Sequence, residues 1–278
     1  MDTIRAGGHR IAYERRGEGP LVVLLHGGVG DRGTWRRQID GLSDEFTMVA
    51  WDAPGFGGSS DPHEAFRLPD FADCLAEFVA ALGAGRPHVV GLSFGGGLAL
   101  ELYRRHPALP ATLVLVSAYA GWAGSLPAEV VEQRLRLYEG LADAPPDRLV
   151  DEVLPTLFTE SAPAEAVAEL AASISEFHPA GLRAGARAFA EADLRDVLPR
   201  IAVPTLLVYG DRDVRAPLSV ARDLHAAIPG SRLVLIPEVG HVCNLEAPEA
   251  FDAELRAFLR SAGELSAPSR ASPGPGPR

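Results

Sequence analysis

Short apolar runs recur along the chain, and the stretches between them repeat their apolar positions every three to four residues. The runs HRIAYER (9–15), PLVVLL (20–25), FTMVAW (46–51), PHVVGL (87–92), ATLVLVS (111–117), PTLLVYG (204–210) and RLVLIP (232–237) predict strands. Most are near-continuous rather than alternating, which is the pattern of strands buried on both faces of a parallel sheet. Between them, PDFADCLAEFVAAL (69–82) sets Phe71, Leu75, Phe78 and Leu82 at helical spacing. LALELYRRH (98–106), SVARDLHAAI (219–228) and PEAFDAELRAFL (248–259) do the same. Strand–helix alternation of this kind predicts an α/β fold, doubly wound about a mostly parallel central sheet with flanking helices.

The alternation stops between Tyr119 and Pro199. This part is rich in Ala and Leu, is broken by prolines and holds no clear strand. It predicts several short helices inserted between two strands. The expected organisation is a sheet-bearing core of residues 1–118 and 200–262, a helical insertion of 119–199, and a disordered tail of 263–278. The tail expectation rests on the Pro, Gly and Ser content of GELSAPSRASPGPGPR.

Composition narrows the function classes. The formal net charge of −11 disfavours nucleic acid or an anionic membrane as partner. No apolar run approaches the roughly 20 residues that cross a bilayer, and the N-terminus lacks the apolar stretch of a secretory signal. Two cysteines, Cys74 and Cys243, give no framework of bridges, so a cytoplasmic protein with reduced thiols is expected. Every basic residue apart from histidine is arginine. The absence of lysine excludes Schiff-base chemistry, pyridoxal phosphate attachment and P-loop phosphate binding. No cluster of His, Cys and carboxylates has metal-ligand spacing. Neither a metal nor an organic cofactor is expected, and the partner expected is a small-molecule substrate. Nothing in the sequence sets the oligomeric state.

The chemistry-bearing segment is HVVGLSFGGGLAL, which runs strand, tight turn, helix. Gly91-Leu92-Ser93-Phe94-Gly95 is G-x-S-x-G, the pattern of a strained turn that exposes a nucleophilic serine. Glycines are needed at Gly91 and Gly95 because a side chain there would meet neighbouring backbone. A triad of the order Ser, acid, His then requires two further residues. Asp211 and Asp213 follow the strand PTLLVYG, and His241 follows the last strand. A competing pattern opens the chain: Gly28, Gly30 and Gly33 spell G-x-G-x-x-G after a strand, with Asp52 about 20 residues on, as in a dinucleotide fold. Against a nicotinamide oxidoreductase, the third glycine is followed by bulky TWRRQ, and that reading leaves Ser93, Asp213 and His241 without a role.

The segments HGG (26–28), DAPGFGGSS (52–60), GLSFGG (91–96), GDRD (210–213) and GHVCNLEAPEAF (240–251) together make the chain similar to the α/β-hydrolase superfamily. The likeness covers residues 10 to 262 and is closest to the cap-bearing branch of esterases, lactonases, C–C bond hydrolases and cofactor-free haloperoxidases. It implies an α/β-hydrolase fold in which Ser93 is the nucleophile, Asp213 the acid and His241 the base, with Asp211 shaping the turn. It makes 26–33 an oxyanion loop, in which the backbone N–H of Gly28 acts with that of Phe94, while His26 braces the loop. It makes the insertion a cap over the site. Trp122, Tyr138, Phe158, Phe177 and Phe189 are candidate pocket walls from the cap, with Trp35, Phe94 and Val242 nearer the chemistry. The cap arginines Arg134, Arg136, Arg183 and Arg187 could hold a carboxylate, and the favoured reading is that they are solvated helix faces. The activity implied is serine hydrolysis of an ester, lactone or related carbonyl bond of a small, largely apolar substrate. The alternative is a non-hydrolytic member, a lyase, cyclase or ligand receptor.

Overall fold

The computed structural model of the chain describes residues 1–266. Eight strands form one sheet: β1 (Asp2–Ala6), β2 (His9–Arg16), β3 (Leu21–Leu25), β4 (Thr47–Trp51), β5 (His88–Leu92), β6 (Thr112–Val116), β7 (Thr205–Gly210) and β8 (Arg232–Ile236). Their order across the sheet is β1-β2-β4-β3-β5-β6-β7-β8. β1 and β2 pair antiparallel, as do β2 and β4, and every other pair is parallel. The continuous apolar runs account for this arrangement. Every residue of β3, β4, β5, β6 and β7 is buried, whereas β8, at the edge, is mostly not. Each large apolar side chain so buried contributes roughly 1.5–3 kcal/mol.

The helices are α1 (Arg36–Leu42), α2 (Leu68–Ala81), α3 (Phe94–Arg105), α4 (Ala128–Ala142), α5 (Pro146–Val153), α6 (Ala164–Ser175), α7 (Pro179–Glu191), α8 (Leu218–Ala227), α9 (Cys243–Glu246) and α10 (Pro248–Ser266). α1 packs on α10, and α2 packs on α3. In α2 the buried face includes Phe71, Leu75 and Phe78, and the Asp70 carboxylate accepts the Arg67 N–H at 2.8 Å to close its first turn. Among the described residues no helix is long and apolar enough to cross a membrane.

β1 is not among the expected strands. It pairs with β2 through a two-residue turn in which Gly7 and Gly8 both have positive φ, 55° and 78°. Glycines suit such a turn because its twist matches that of the strands. Of the expected tail, residues 263–266 continue α10 as helix, and residues 267–278 lie outside the described residues.

Two features of the topology position the site. From β3 the chain goes to β4 on one side, then returns to place β5 on the other side of β3. The loops leaving the C-terminal ends of β3 and β5 therefore diverge, and this switch point opens the crevice where parallel α/β sheets bind ligands. Second, the chain between β6 and β7 forms α4 to α7 and no strand. The prolines that interrupt this segment stand at helix starts: Pro127, Pro145 and Pro163 immediately precede α4, α5 and α6, and Pro179 opens α7. A fixed φ and a missing N–H cost nothing there, because the first turn has no intrahelical acceptor to offer.

Candidate active site

The turn between β5 and α3 is held open by what its glycines lack. A Cβ on Gly91 would lie 2.2 Å from the Gly95 carbonyl oxygen, and one on Gly95 would lie 2.3 Å from the Leu25 oxygen. Ser93, between them, has φ 53° and ψ −107°, a left-handed conformation that costs a residue with a side chain on the order of 1–3 kcal/mol. Its N–H is fixed to the Val116 carbonyl at 2.8 Å, and its hydroxyl caps no helical N–H of α3. The strained turn thus leaves the hydroxyl available at the head of α3.

The acid and the base come from the loops after β7 and β8. His241 Nδ1 lies 2.8 Å from Asp213 Oδ2, and both side chains are buried. Asp213 Oδ1 accepts the N–H groups of Arg215 and Ala216, each at 2.8 Å. Burial pushes the Asp213 carboxyl up, but the His241 imidazole and these two N–H groups outweigh it and hold the carboxyl below its usual range. An ionised carboxylate only accepts, so Nδ1 carries a proton, and in the neutral imidazole this leaves the lone pair on Nε2. Asp211 does different work: its Oδ1 accepts the Glu238 N–H at 2.7 Å, which ties the turn after β7 to the turn after β8.

The loop after β3 is braced from below. His26 Nε2 accepts the Ala53 N–H at 3.0 Å, and its Nδ1 donates to the Gly27 oxygen at 2.8 Å. Burial lowers its basicity, consistent with this neutral form. Asp52, the acidic residue of the competing dinucleotide pattern, is wholly buried. Its oxygens accept the N–H groups of Arg32 and Gly58, each at 2.7 Å, and it pairs with the Arg32 guanidinium. The carboxylate is used in folding the two loops together and is not presented to a ribose.

These loops and the inserted helices line a cavity between them, of about 660 Å³ with the solvent at its mouth included. Gly28, Ser93, Phe94, His241 and Val242 line it from the sheet side, and Trp122, Tyr138 and Phe189 line it from the insertion. Among the described residues no hydrogen bond joins the Ser93 hydroxyl to the imidazole; such bonds commonly tighten only when substrate is bound. The His241 loop is tied to the insertion, because the His241 N–H donates to the Leu157 oxygen at 2.9 Å. The buried Glu246 accepts the Gly240 N–H at 2.9 Å and the Thr159 N–H at 3.2 Å.

Three expected wall residues lie elsewhere. Trp35 is fully buried against Phe251, with ring centroids 6.1 Å apart, and its neighbour Thr34 reaches the cavity instead. Successive residues of a tight helical turn point in different directions, so nearness in sequence to the loop does not carry over. Phe158 packs partly buried against the core, and Leu157 takes its place on the wall. Phe177 likewise does not line this cavity. Arg136, Arg183 and Arg187 are paired with Glu132, Asp143 and Glu139, outside the cavity. Arg134, expected to be solvated, lines it, as do Tyr119 and Arg215, which sequence reasoning passed over. For Arg134 a signal existed: it precedes Tyr138 by one helical turn, so the two share a face of α4.

The comparisons with known proteins agree with this fold. The family model described as alpha/beta hydrolase fold matches residues 20–248. The pimeloyl-[acyl-carrier protein] methyl ester esterase of Vibrio vulnificus is 30% identical over 265 residues, covering 88% of this chain and 96% of that protein. A thermophilic esterase from Thermogutta terrifontis superposes with a TM-score of 0.88 at 30% identity, covering 94% of this chain and 99% of that one. The enol-lactonase of Burkholderia xenovorans LB400 superposes with a TM-score of 0.84 at 26% identity, covering 93% and 100%. With its switch-point crevice, its strained serine turn and this match, the chain belongs to the α/β-hydrolase family.

Proposed function

We propose that this enzyme is a serine hydrolase that cleaves an ester or lactone of a small, largely apolar substrate by way of an acyl-enzyme. The observation that carries the reading is the 2.8 Å contact of the His241 imidazole with the Asp213 carboxylate, on the wall of the cavity that also exposes the strained Ser93. In this mechanism His241 Nε2 takes the Ser93 proton as Oγ attacks the substrate carbonyl. Asp213 holds the imidazole in the tautomer that can accept and stabilises the cation that forms. The N–H groups of Gly28 and Phe94 face the developing oxyanion. Phe94 is the first residue of α3, so its N–H has no intrahelical acceptor, and a donor of this kind is worth roughly 3 kcal/mol. The imidazolium then protonates the leaving oxygen, and a water activated by His241 releases the acid. Residues 119–199 act as a cap whose aromatic side chains exclude water from the acyl portion. The esterase and lactonase relatives support ester or lactone cleavage as the reaction.

The test is turnover of p-nitrophenyl esters of increasing acyl length. The expected result is a pre-steady-state burst where deacylation is slow, with ¹⁸O from labelled water in the product acid. Product formation without solvent oxygen, at a rate that Ser93→Ala leaves intact, would contradict the acyl-enzyme.

A further inference from the structure

The cavity wall is apolar apart from a few groups, and two of those groups are guanidiniums. Arg134, from α4, and Arg215, from the loop after β7, both line it, and no Asp or Glu does. The Asp213 carboxylate sits behind the wall, occupied by His241 and by backbone N–H groups. In a chain whose formal net charge is −11, the substrate cavity therefore presents two positive charges and no negative one.

Neither arginine is paired with a carboxylate among the described residues. Among the described residues, the side-chain acceptors of Arg215 are Thr156 Oγ1 and the Tyr138 hydroxyl, each at 2.8 Å. Arg134 donates to the Tyr119 hydroxyl at 3.1 Å and to the Arg215 backbone oxygen at 2.9 Å. All four acceptors are neutral. The cap arginines outside the cavity differ, since Arg136, Arg148, Arg183 and Arg187 each meet a carboxylate. Burial penalises the Arg215 cation, with the nearby Asp213 charge and two tyrosines offsetting that penalty, and an anion arriving at its free N–H groups adds a direct partner.

The guanidiniums are also held in place. Arg134 lies over the rings of Tyr119 and Trp122, 5.7 Å from each centroid, and Arg215 lies over Tyr138 at 5.9 Å. Burial pushes the Tyr119 hydroxyl up to about 12, so it stays protonated and donates to the Arg215 oxygen. Five donors per guanidinium exceed the two bonds each makes here, leaving N–H groups for a ligand. Tyr119 also sets the scale. Its ring centroid is 6.4 Å from that of His241, so Arg134 stands no farther from the imidazole than those two spacings laid end to end. A short carbon chain spans that gap.

We propose that Arg134 and Arg215 form a carboxylate-binding end of the cavity, and that the substrate carries a free carboxylate a short chain away from the carbonyl that Ser93 attacks. This rests on the hydrolase reading above and names its substrate class: half-esters of dicarboxylic acids, or lactones bearing a carboxylate. The apolar wall receives the intervening chain, and planar guanidiniums match the two oxygens of the carboxylate.

The test compares p-nitrophenyl half-esters of succinate, glutarate and adipate with neutral p-nitrophenyl esters of the same acyl length, each corrected for spontaneous hydrolysis. With the unaltered enzyme, at least one anionic ester should exceed its neutral partner in kcat/KM by about tenfold or more, chiefly through KM. In Arg134→Met and in Arg215→Met that ratio should fall towards one, while Arg134→Lys should keep part of it. The ratio is independent of how much of a variant folds. Ser93-dependent hydrolysis with no anionic preference at any length would overturn the proposal and leave the hydrolase reading standing. So would a preference that both Met variants retain. Absence of Ser93-dependent hydrolysis of either series would overturn the hydrolase reading, and this proposal with it.

Discussion

The sheet side of the cavity is fixed by backbone, whereas the side supplied by residues 119–189 is fixed by side chains. On the sheet side, Gly91 and Gly95 let main chain touch main chain, Ser93 is held at a positive φ, and Asp213 is locked by two N–H groups. On the inserted side, Phe189 meets Phe94 and Trp122 with centroids 5.6 Å apart, Trp122 meets Tyr138 at 5.7 Å, and the arginines lie over these rings. Backbone contacts admit almost no substitution, while a wall of side chains can be re-cut one residue at a time. Apart from Arg215, which stands two residues after Asp213 on the sheet side, the molecule thus separates the residues proposed to perform the reaction from those proposed to select its substrate. The two sides are joined where Leu157 and Thr159 meet the His241 loop.

The largest effect that sharpens this contrast is expected from the carboxylates after β7. Asp213→Asn should fold and lose turnover on the order of 10⁴-fold, by analogy with the serine-protease triad. Asp211→Asn should lose less than about tenfold, because an amide oxygen can still accept the Glu238 N–H. Steady-state kinetics on one ester decides, and the reverse ranking would move the acid role to Asp211. Next comes a single added methyl. Gly95→Ala must displace the end of β3 or the loop that follows it, so roughly 3 kcal/mol of stability and about 100-fold in kcat should be lost. Chemical denaturation and kinetics read the two losses together. On the inserted side a much larger deletion should do less. Leu170→Ala removes three carbons from the wall, and should lengthen the preferred acyl chain while changing kcat on short esters by less than about tenfold. A panel of acyl lengths measures it, and a 100-fold fall in kcat at every length would break the contrast.

The smallest effect belongs to neither side of the cavity. Asp252, on α10, is held up to about 6, chiefly by burial, against the Gln38 amide that donates to it at 2.9 Å. Its unfolded carboxyl titrates near 3.9. The folded state therefore binds this proton more tightly, so the group's contribution to stability falls as pH rises from about 4 to about 6 and is level above that. Asp252→Asn, which keeps an acceptor for Gln38, should melt a few degrees higher than the unaltered protein at pH 7. The difference should close as the pH is lowered to 4.

This division also explains what could be read from the sequence. The sheet side was legible because backbone constraint leaves a mark on residue type: buried parallel strands read as continuous apolar runs, and close main-chain contacts read as glycine. The inserted side was not, because helical periodicity gives a face without saying what the face meets. Arg134 and Arg136 stand two residues apart on α4, one on the cavity wall and one paired with Glu132. Phe158 is displaced from the wall by the residue before it for the same reason, and Trp35 shows that on the sheet side too the direction of a side chain in a tight helical turn is not legible. Arg215 carried no pattern of its own; its position follows from the turn that Asp213 caps. β1 was missed although its two-glycine turn was in plain view, since a short edge strand with exposed alternate residues has little apolar signal.

The central claim is that the hydroxyl held in the strained turn is the nucleophile. The most direct measurement is labelling of the purified protein with a fluorophosphonate, followed by mass spectrometry of its peptides. The account predicts a single adduct on the peptide that carries Ser93, and no labelling of Ser93→Ala. An adduct on another serine, or labelling that persists in Ser93→Ala, would contradict it.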